Sequence, residues 1–224
     1  MIEVECRTLP AGQLLWCVHE SRYAATSFNP NLGGHRDDIA TGGRFHPFED
    51  GAGRRVPTRY LADHPNGAFA ETLMRESSMG RTLPPDTILD HRPSQVRTRR
   101  SLRLVDLGTI DPDGAFARAM QADASAYRQT RSVAATLHGS LPEVDGLLWS
   151  GVQLRTPGME CVVLFGDRVT EAALAAERTL ELDVGEGLRR LEAAAMHRQV
   201  TLPSALARRA PENEGRGPSG NDAG

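Results

Sequence analysis

The sequence predicts an α+β protein with a mixed order of strands and helices, and three observations carry that prediction. Short stretches of apolar alternation recur along the chain, segments with helical spacing fall between them, and residues 161–165 are apolar without interruption, as a central strand would be. At 224 residues, 25% charged and 39% hydrophobic, the composition suits one compact domain with room for an appendage.

Taken in order, residues 2–6 and 14–21 alternate as strands, and the Asn/Gly-rich run 27–43 reads as a long loop of the kind that often carries function. A short extended piece at 42–48 and a Gly/Arg-rich connection lead to 58–63, which alternates as a strand. Asn66 can cap a helix over 67–77 whose apolar stripe is Phe69, Leu73 and Met74. Pro84 and Pro85 break the next stretch. Beyond them, 102–107 reads as a strand, 111–138 as two helices interrupted near 123–125, and 144–153 and 161–165 as two further strands. Residues 169–198 are rich in Ala, Leu, Glu and Arg with helical spacing, and Leu174, Leu180, Leu188 and Leu191 need burial against the sheet or a second subunit. From Pro211 onward no large apolar side chain offsets the entropy of ordering, so 211–224 is expected to be a disordered tail.

Composition excludes several chemistries. All 26 basic residues are Arg, which removes lysine Schiff bases and the phosphate-loop lysine, and a net charge of -3 leaves no global positive field for nucleic acid or anionic lipid. Cys6, Cys17 and Cys161 form neither a disulfide framework nor a C-x-x-C site, and no leader or membrane-spanning run is evident, so a cytoplasmic location is expected. The seven histidines include no i, i+4 pair around an acid, so no metal site is expected. Gly33-Gly34 and Gly42-Gly43 lie outside any G-x-G-x-x-G motif, G-x-S-x-G is absent, and Cys161 sits in an apolar run where a thiol is inert. The cluster Arg97, Arg99, Arg100 and Arg103 has no interleaved aromatics and reads as a solvated edge, without direct nucleic acid binding.

Four side chains are harder to explain as structure alone: Arg44 in Thr-Gly-Gly-Arg-Phe-His-Pro, Tyr60 in Arg-Tyr-Leu-Ala, Glu71 in Ala-Phe-Ala-Glu-Thr-Leu, and Ser150 in Asp-Gly-Leu-Leu-Trp-Ser. Gly42 and Gly43 permit close backbone approach to a ligand beside Arg44, while Phe45 anchors the other side. Tyr60 shares a strand face with Ala62, where little bulk is expected around its ring. Glu71 lies among Ala68, Phe69, Ala70, Leu73 and Met74, either paired with Arg75 one turn on or held at the edge of a pocket. Ser150 shares its strand face with Gly146, Leu148 and Val152, where a hydroxyl needs a partner.

The order Gly-Gly-Arg-Phe-x-Pro, Tyr-Leu-Ala, an Ala-rich helix start bearing Glu, Asp-Gly-Leu-x-x-Ser and a final apolar strand resembles the RES domain over about residues 12–170. The resemblance implies an ADP-ribosyltransferase-like fold, a mixed, split β-sheet core flanked by helices. It divides the chain into a RES domain at 1–170, a helical C-terminal extension at 171–210 and the tail at 211–224. Many RES proteins are toxins of bacterial toxin-antitoxin pairs that degrade NAD⁺ under control of a partner with an Xre-type DNA-binding region. That implies cleavage of the nicotinamide-ribosyl bond with water or phosphate as acceptor, NAD⁺ as substrate and no resident cofactor. The alternatives are ADP-ribose transfer to a protein target, or a non-catalytic binding module of the same fold; a homodimer is compatible with either. By resemblance Arg44, Tyr60, Glu71 and Ser150 are the active-site positions, with Gly43, Arg44, Tyr60 and Ser150 binding the dinucleotide. Two positions depart from the family pattern: Cys17 follows Trp16 where Arg is usual, with Arg22 as the candidate substitute, and His46 stands where Asn is common.

These residue types suit the chemistry. Loss of nicotinamide builds an oxocarbenium-like ribose, which a fixed carboxylate at Glu71 would stabilise. Tyr60 would stack on nicotinamide, Arg44 would fork onto phosphate oxygens, and Ser150 would bond a ribose or amide group.

Overall fold

A computed structural model describes residues 4–32, 42–74, 80–110, 115–121, 124–150 and 158–207. Its strands are β1 (Cys6–Leu9), β2 (Leu14–Glu20), β3 (Thr58–Ala62), β4 (His91–Thr98), β5 (Leu102–Asp106), β6 (Gly146–Ser150), β7 (Glu160–Phe165) and β8 (Leu174–Thr179). They form one mixed sheet in the order β1-β5-β6-β7-β3-β2-β4-β8, antiparallel except at β5-β6. The expected split is visible as a narrow joint: β2 meets β3 through a single registered pair, Trp16 with Ala62, whereas β2 and β4 pair along all of β2. The helices are α1 (Pro65–Thr72), α2 (Pro85–Leu89), α3 (Ala115–Gln121), α4 (Tyr127–Ser140), α5 (Gly185–Arg198) and α6 (Ser204–Ala207).

Strand alternation sorts the core into two layers. On one face Trp16, Val18, Ala62, Val105, Leu147, Trp149, Cys161 and Val163 pack with Phe69 of α1, Ile88 of α2, Met120 of α3, Leu137 of α4, Leu191 of α5 and Leu206 of α6. On the other, Leu15, Cys17, Leu61, Leu104, Leu148, Val162 and Leu164 are covered by Ala25, Val169 and Ala173 from connecting segments. Every described α-helix therefore contributes to one face, which gives the α+β architecture. Gly146 in β6 is needed by this packing, since a Cβ there would come within 2.1 Å of the Val163 carbonyl.

Several elements differ from the sequence expectation. The first strand begins at Cys6, where residues 2–6 were expected to end one. His64, not Asn66, caps α1: its ring accepts from the Asn66 N–H at 3.2 Å, and Pro65 occupies the first helical turn. β4 went unrecognised because Arg92, Pro93, Gln95 and Arg97 interrupt its apolar alternation, yet it binds β2 on one side and β8 on the other. The segment from 171 was expected to be helical but enters the sheet as β8, whose residues Ala175–Thr179 are largely exposed at the edge, so little apolar patterning marks it. A single 3-10 turn at Glu171–Ala173 precedes β8, and the long helix follows only from Gly185. α5 packs on α1, stacks the Arg190 guanidinium on Trp16 at 4.7 Å, and is tied to β8 through Glu186, which pairs with both Arg190 and Arg178. The tail expected at 211–224, together with 33–41 and 151–157, lies outside the described residues.

Candidate active site

The centre of the candidate site is a tight turn, Gly43–His46, closed by the Gly43 N–H donating to the His46 carbonyl at 2.8 Å. The Phe45 N–H donates to the Tyr60 hydroxyl at 2.8 Å, so the strand residue holds the turn through its phenol oxygen. Phe45 in turn sets its ring edge-on to Trp149 with centroids 4.9 Å apart. Tyr60 is not the lightly surrounded ring expected from its neighbours in sequence, because His46 and Trp149 approach it at 5.2 and 6.0 Å.

Arg44 is 1% exposed. Its Nη1 donates to the Met120 carbonyl of α3 at 2.8 Å and its guanidinium lies 5.3 Å from the Tyr127 ring of α4, a cation–π arrangement. Nε of Arg44 and Nε1 of Trp149 are buried donors with no hydrogen-bond partner among the described residues. Sequence reasoning missed the residues that hold this arginine. The Thr130 hydroxyl donates to the Arg44 carbonyl, and Arg131 Nε donates to the Gly43 carbonyl at 2.9 Å. Their only sequence signal is the i, i+3, i+4 spacing of Tyr127, Thr130 and Arg131 on one face of α4.

Glu71 lies in the last turn of α1, 6% exposed, on a helix whose Ala68 and Phe69 are core. Arg75, the alternative partner one turn on, lies outside the described residues. Cys161, paired with Ala62 in the neighbouring strand, reports the local field: burial pushes its thiol well above the ordinary range, Glu71 and then Asp63 add to the rise, and Arg44 opposes it. Tyr60 of β3 lies on the helix-covered face against which α1, the helix that carries Glu71, is packed, and the Phe45 N–H bond to Tyr60 brings the Arg44 turn to that face.

Ser150 is not brought to that face. It is exposed at the end of β6 in register with Glu160, and it alternates with Trp149, so it shares the face of Leu148 and Val162. Glu160 on that face pairs with Arg7, which also lies 3.6 Å from Asp106. Trp149, the residue before Ser150, is the one that meets Phe45 and Tyr60.

Cys17 also lies on the opposite layer, so its replacement of Arg removes no charge from the face of Tyr60 and Glu71. There Arg59 of β3 donates to Cys17 Sγ at 2.7 Å and to the Ala25 carbonyl. Arg22, the candidate substitute, is at the surface, paired with Glu20 and set over the Tyr23 ring. The arginine cluster of β4 and β5 is largely neutralised: Arg97 pairs with Glu177, Arg100 grips Asp145 with two nitrogens, and Arg103 lies 3.8 Å from Glu143. Among the described residues no group of three or more His, Cys, Asp or Glu is arranged to hold a metal ion, and no described helix is long and apolar enough to cross a membrane.

A family model described as RES domain matches residues 14–184, a span that includes β8. Among solved structures the chain is similar to the crystal structure of the M. tuberculosis MbcT-MbcA toxin-antitoxin complex, at 16% identity and a TM-score of 0.52, over 84% of this chain and 92% of that one. No curated protein matches the chain.

Proposed function

Because the chain belongs to the RES domain family, we propose that it cleaves the nicotinamide-ribosyl bond of NAD⁺, with water or inorganic phosphate as acceptor, and that it serves as the toxin of a toxin-antitoxin pair. The observation that carries the reading is the buried carboxylate of Glu71 on the same face as the Arg44 turn and the Tyr60 ring.

Nicotinamide departs neutral while positive charge builds on the ribose, so the reaction needs a fixed anion more than a general acid. Glu71 supplies that anion, and burial strengthens its field because little water intervenes. Arg44 offers a permanent cation with Nε to spare for a phosphate oxygen. Tyr60 contributes the edge of an aromatic wall shared with Trp149 and His46, against which a flat ring can pack. Ser150, exposed at the end of β6, would reach the dinucleotide only from the edge of this arrangement. The fold shared with a protein solved as a toxin-antitoxin complex supports a protein partner that silences the site, with an Xre-type DNA-binding region as the candidate.

Proton NMR of NAD⁺ with the purified protein tests the reading, with and without inorganic phosphate. Free nicotinamide is expected with the wild type, and Glu71→Ala should slow its release by about 10²-fold or more. Intact NAD⁺ with folded wild-type protein would refute cleavage with these acceptors and turn attention to a protein-directed transfer or to binding alone.

A further inference from the structure

The Gly42–Gly43–Arg44 segment and α4 fit together in a way that neither the motif nor the proposed chemistry requires. A Cβ built on Gly42 would stand 2.0 Å from Arg131 Nη2 and 2.5 Å from Cζ, so the guanidinium occupies the space a side chain at 42 would fill. Gly42 carries no unusual φ, so what it contributes is that space. Arg131 is 3% exposed, spends Nε on the Gly43 carbonyl, and lies 5.9 Å from the same Tyr127 ring that Arg44 approaches from its own side. The next residue back on α4, Thr130, holds the Arg44 carbonyl.

We propose that Arg131 is a positioning residue: by seating its guanidinium in the space left by Gly42 and binding the Gly43 carbonyl, it locks the turn that aims Arg44. Arg131 then acts on substrate through Arg44, and Gly42 and Arg131 form one functional unit. A Cβ at 42 would push the guanidinium away from the position in which Nε binds the Gly43 carbonyl, so on this proposal changing either residue loosens the same turn. The effect on NAD⁺ turnover rests on the function proposed above, whereas the interlock itself does not.

Two readouts separate them. The first is steady-state release of nicotinamide by Gly42→Ala, Arg131→Ala and the double variant. Each single change should raise KM about tenfold with kcat within about twofold of wild type, as expected when a binding group is misplaced while Glu71 is untouched. The double variant should be no worse than Arg131→Ala alone, because removing the guanidinium frees the space that the new methyl group fills. The second uses no substrate: emission of Trp149, whose ring meets Phe45 of the turn, recorded for the same set in a Trp16→Phe background. Both single changes should shift the emission in the same direction, and the double variant should match Arg131→Ala. Additive shifts would overturn the interlock whatever the enzyme does with NAD⁺. Absent turnover by the wild type with a non-additive emission cycle would sink the proposed function and leave the interlock standing. Should Gly42→Ala fail to fold, recovery of folding in the double variant supports the proposal, and failure of the double variant where Arg131→Ala folds overturns it.

Discussion

At the scale of single residues, the candidate site carries two buried donors that the described residues leave without acceptors, Arg44 Nε and Trp149 Nε1. Leaving such groups unsatisfied costs roughly 1–3 kcal/mol each. Tyr60 makes a different contribution, since its hydroxyl accepts the Phe45 N–H. Tyr60→Phe should therefore lower stability by about 1 kcal/mol in denaturant titration through loss of that bond, before any effect on catalysis. Ser150 provides the contrasting case. From its exposed position beside Glu160, Ser150→Ala should leave nicotinamide release within about twofold of wild type, while Glu71→Ala lowers it by about 10²-fold. A large loss in Ser150→Ala would mean that the end of β6 turns its side chain to the site when substrate is bound.

At the scale of elements, β2, β4 and β8 are joined by a polar ladder. His19 Nδ1 donates to the Glu20 carbonyl at 3.0 Å, which leaves Nε2 of the neutral ring to accept from Ser94 at 2.9 Å, and Ser94 meets Thr179 at 2.8 Å. Burial is the main cause holding the His19 pKa below its ordinary value of about 6.5. The folded form thus binds this proton less readily than the unfolded chain does. The stability His19 contributes is present above pH 6.5 and is lost as the pH falls through its lowered folded value. Thermal melts should fall between about pH 7 and pH 5, and His19→Asn should flatten that part of the profile. A profile unchanged by the substitution would show that other groups govern it. On the other side of the sheet, α4 is the element that controls the Arg44 turn. Thr130→Val keeps the shape but removes the donor to the Arg44 carbonyl, and should cost roughly 1–3 kcal/mol in chemical denaturation.

At the scale of the whole molecule, the sheet is two halves that meet at the single β2-β3 pair, and Arg59 spans that joint on the face opposite the site. Burial also raises the Cys17 thiol, with Arg59 pulling it back in part, and it raises Cys161 further. Both thiols are fully buried, whereas Cys6 is partly exposed. Iodoacetamide at pH 8 should therefore modify Cys6 alone in the native protein and all three cysteines in denaturant, as read by intact mass. Rapid native labelling of Cys17 would show that the joint opens. Along the fold as a whole, the central strands β3, β6 and β7 were legible because their apolar runs are nearly uninterrupted. β4 and β8 were not: Arg, Pro and Gln interrupt the apolar alternation of β4, and β8, at the solvated edge, is mostly small and charged.

What the sequence determined by itself is whatever depends on near neighbours: the α+β class, the two helices broken near 123–125, and Arg44, Tyr60, Glu71 and Ser150 as the residues to watch. Each of those follows from a short motif or a local period. Only the tertiary structure decided which face each strand residue takes, and so it put Ser150 and Cys17 on the face opposite Tyr60 and Trp149. It also brought Thr130 and Arg131 onto the Gly43–Arg44 backbone from a helix far along the chain. The physical reason is that strand pairing sets register, and a shift of one residue exchanges the faces of every side chain. Contacts between distant segments leave no period in either segment alone, so the residues that aim Arg44 are invisible until the chain is folded.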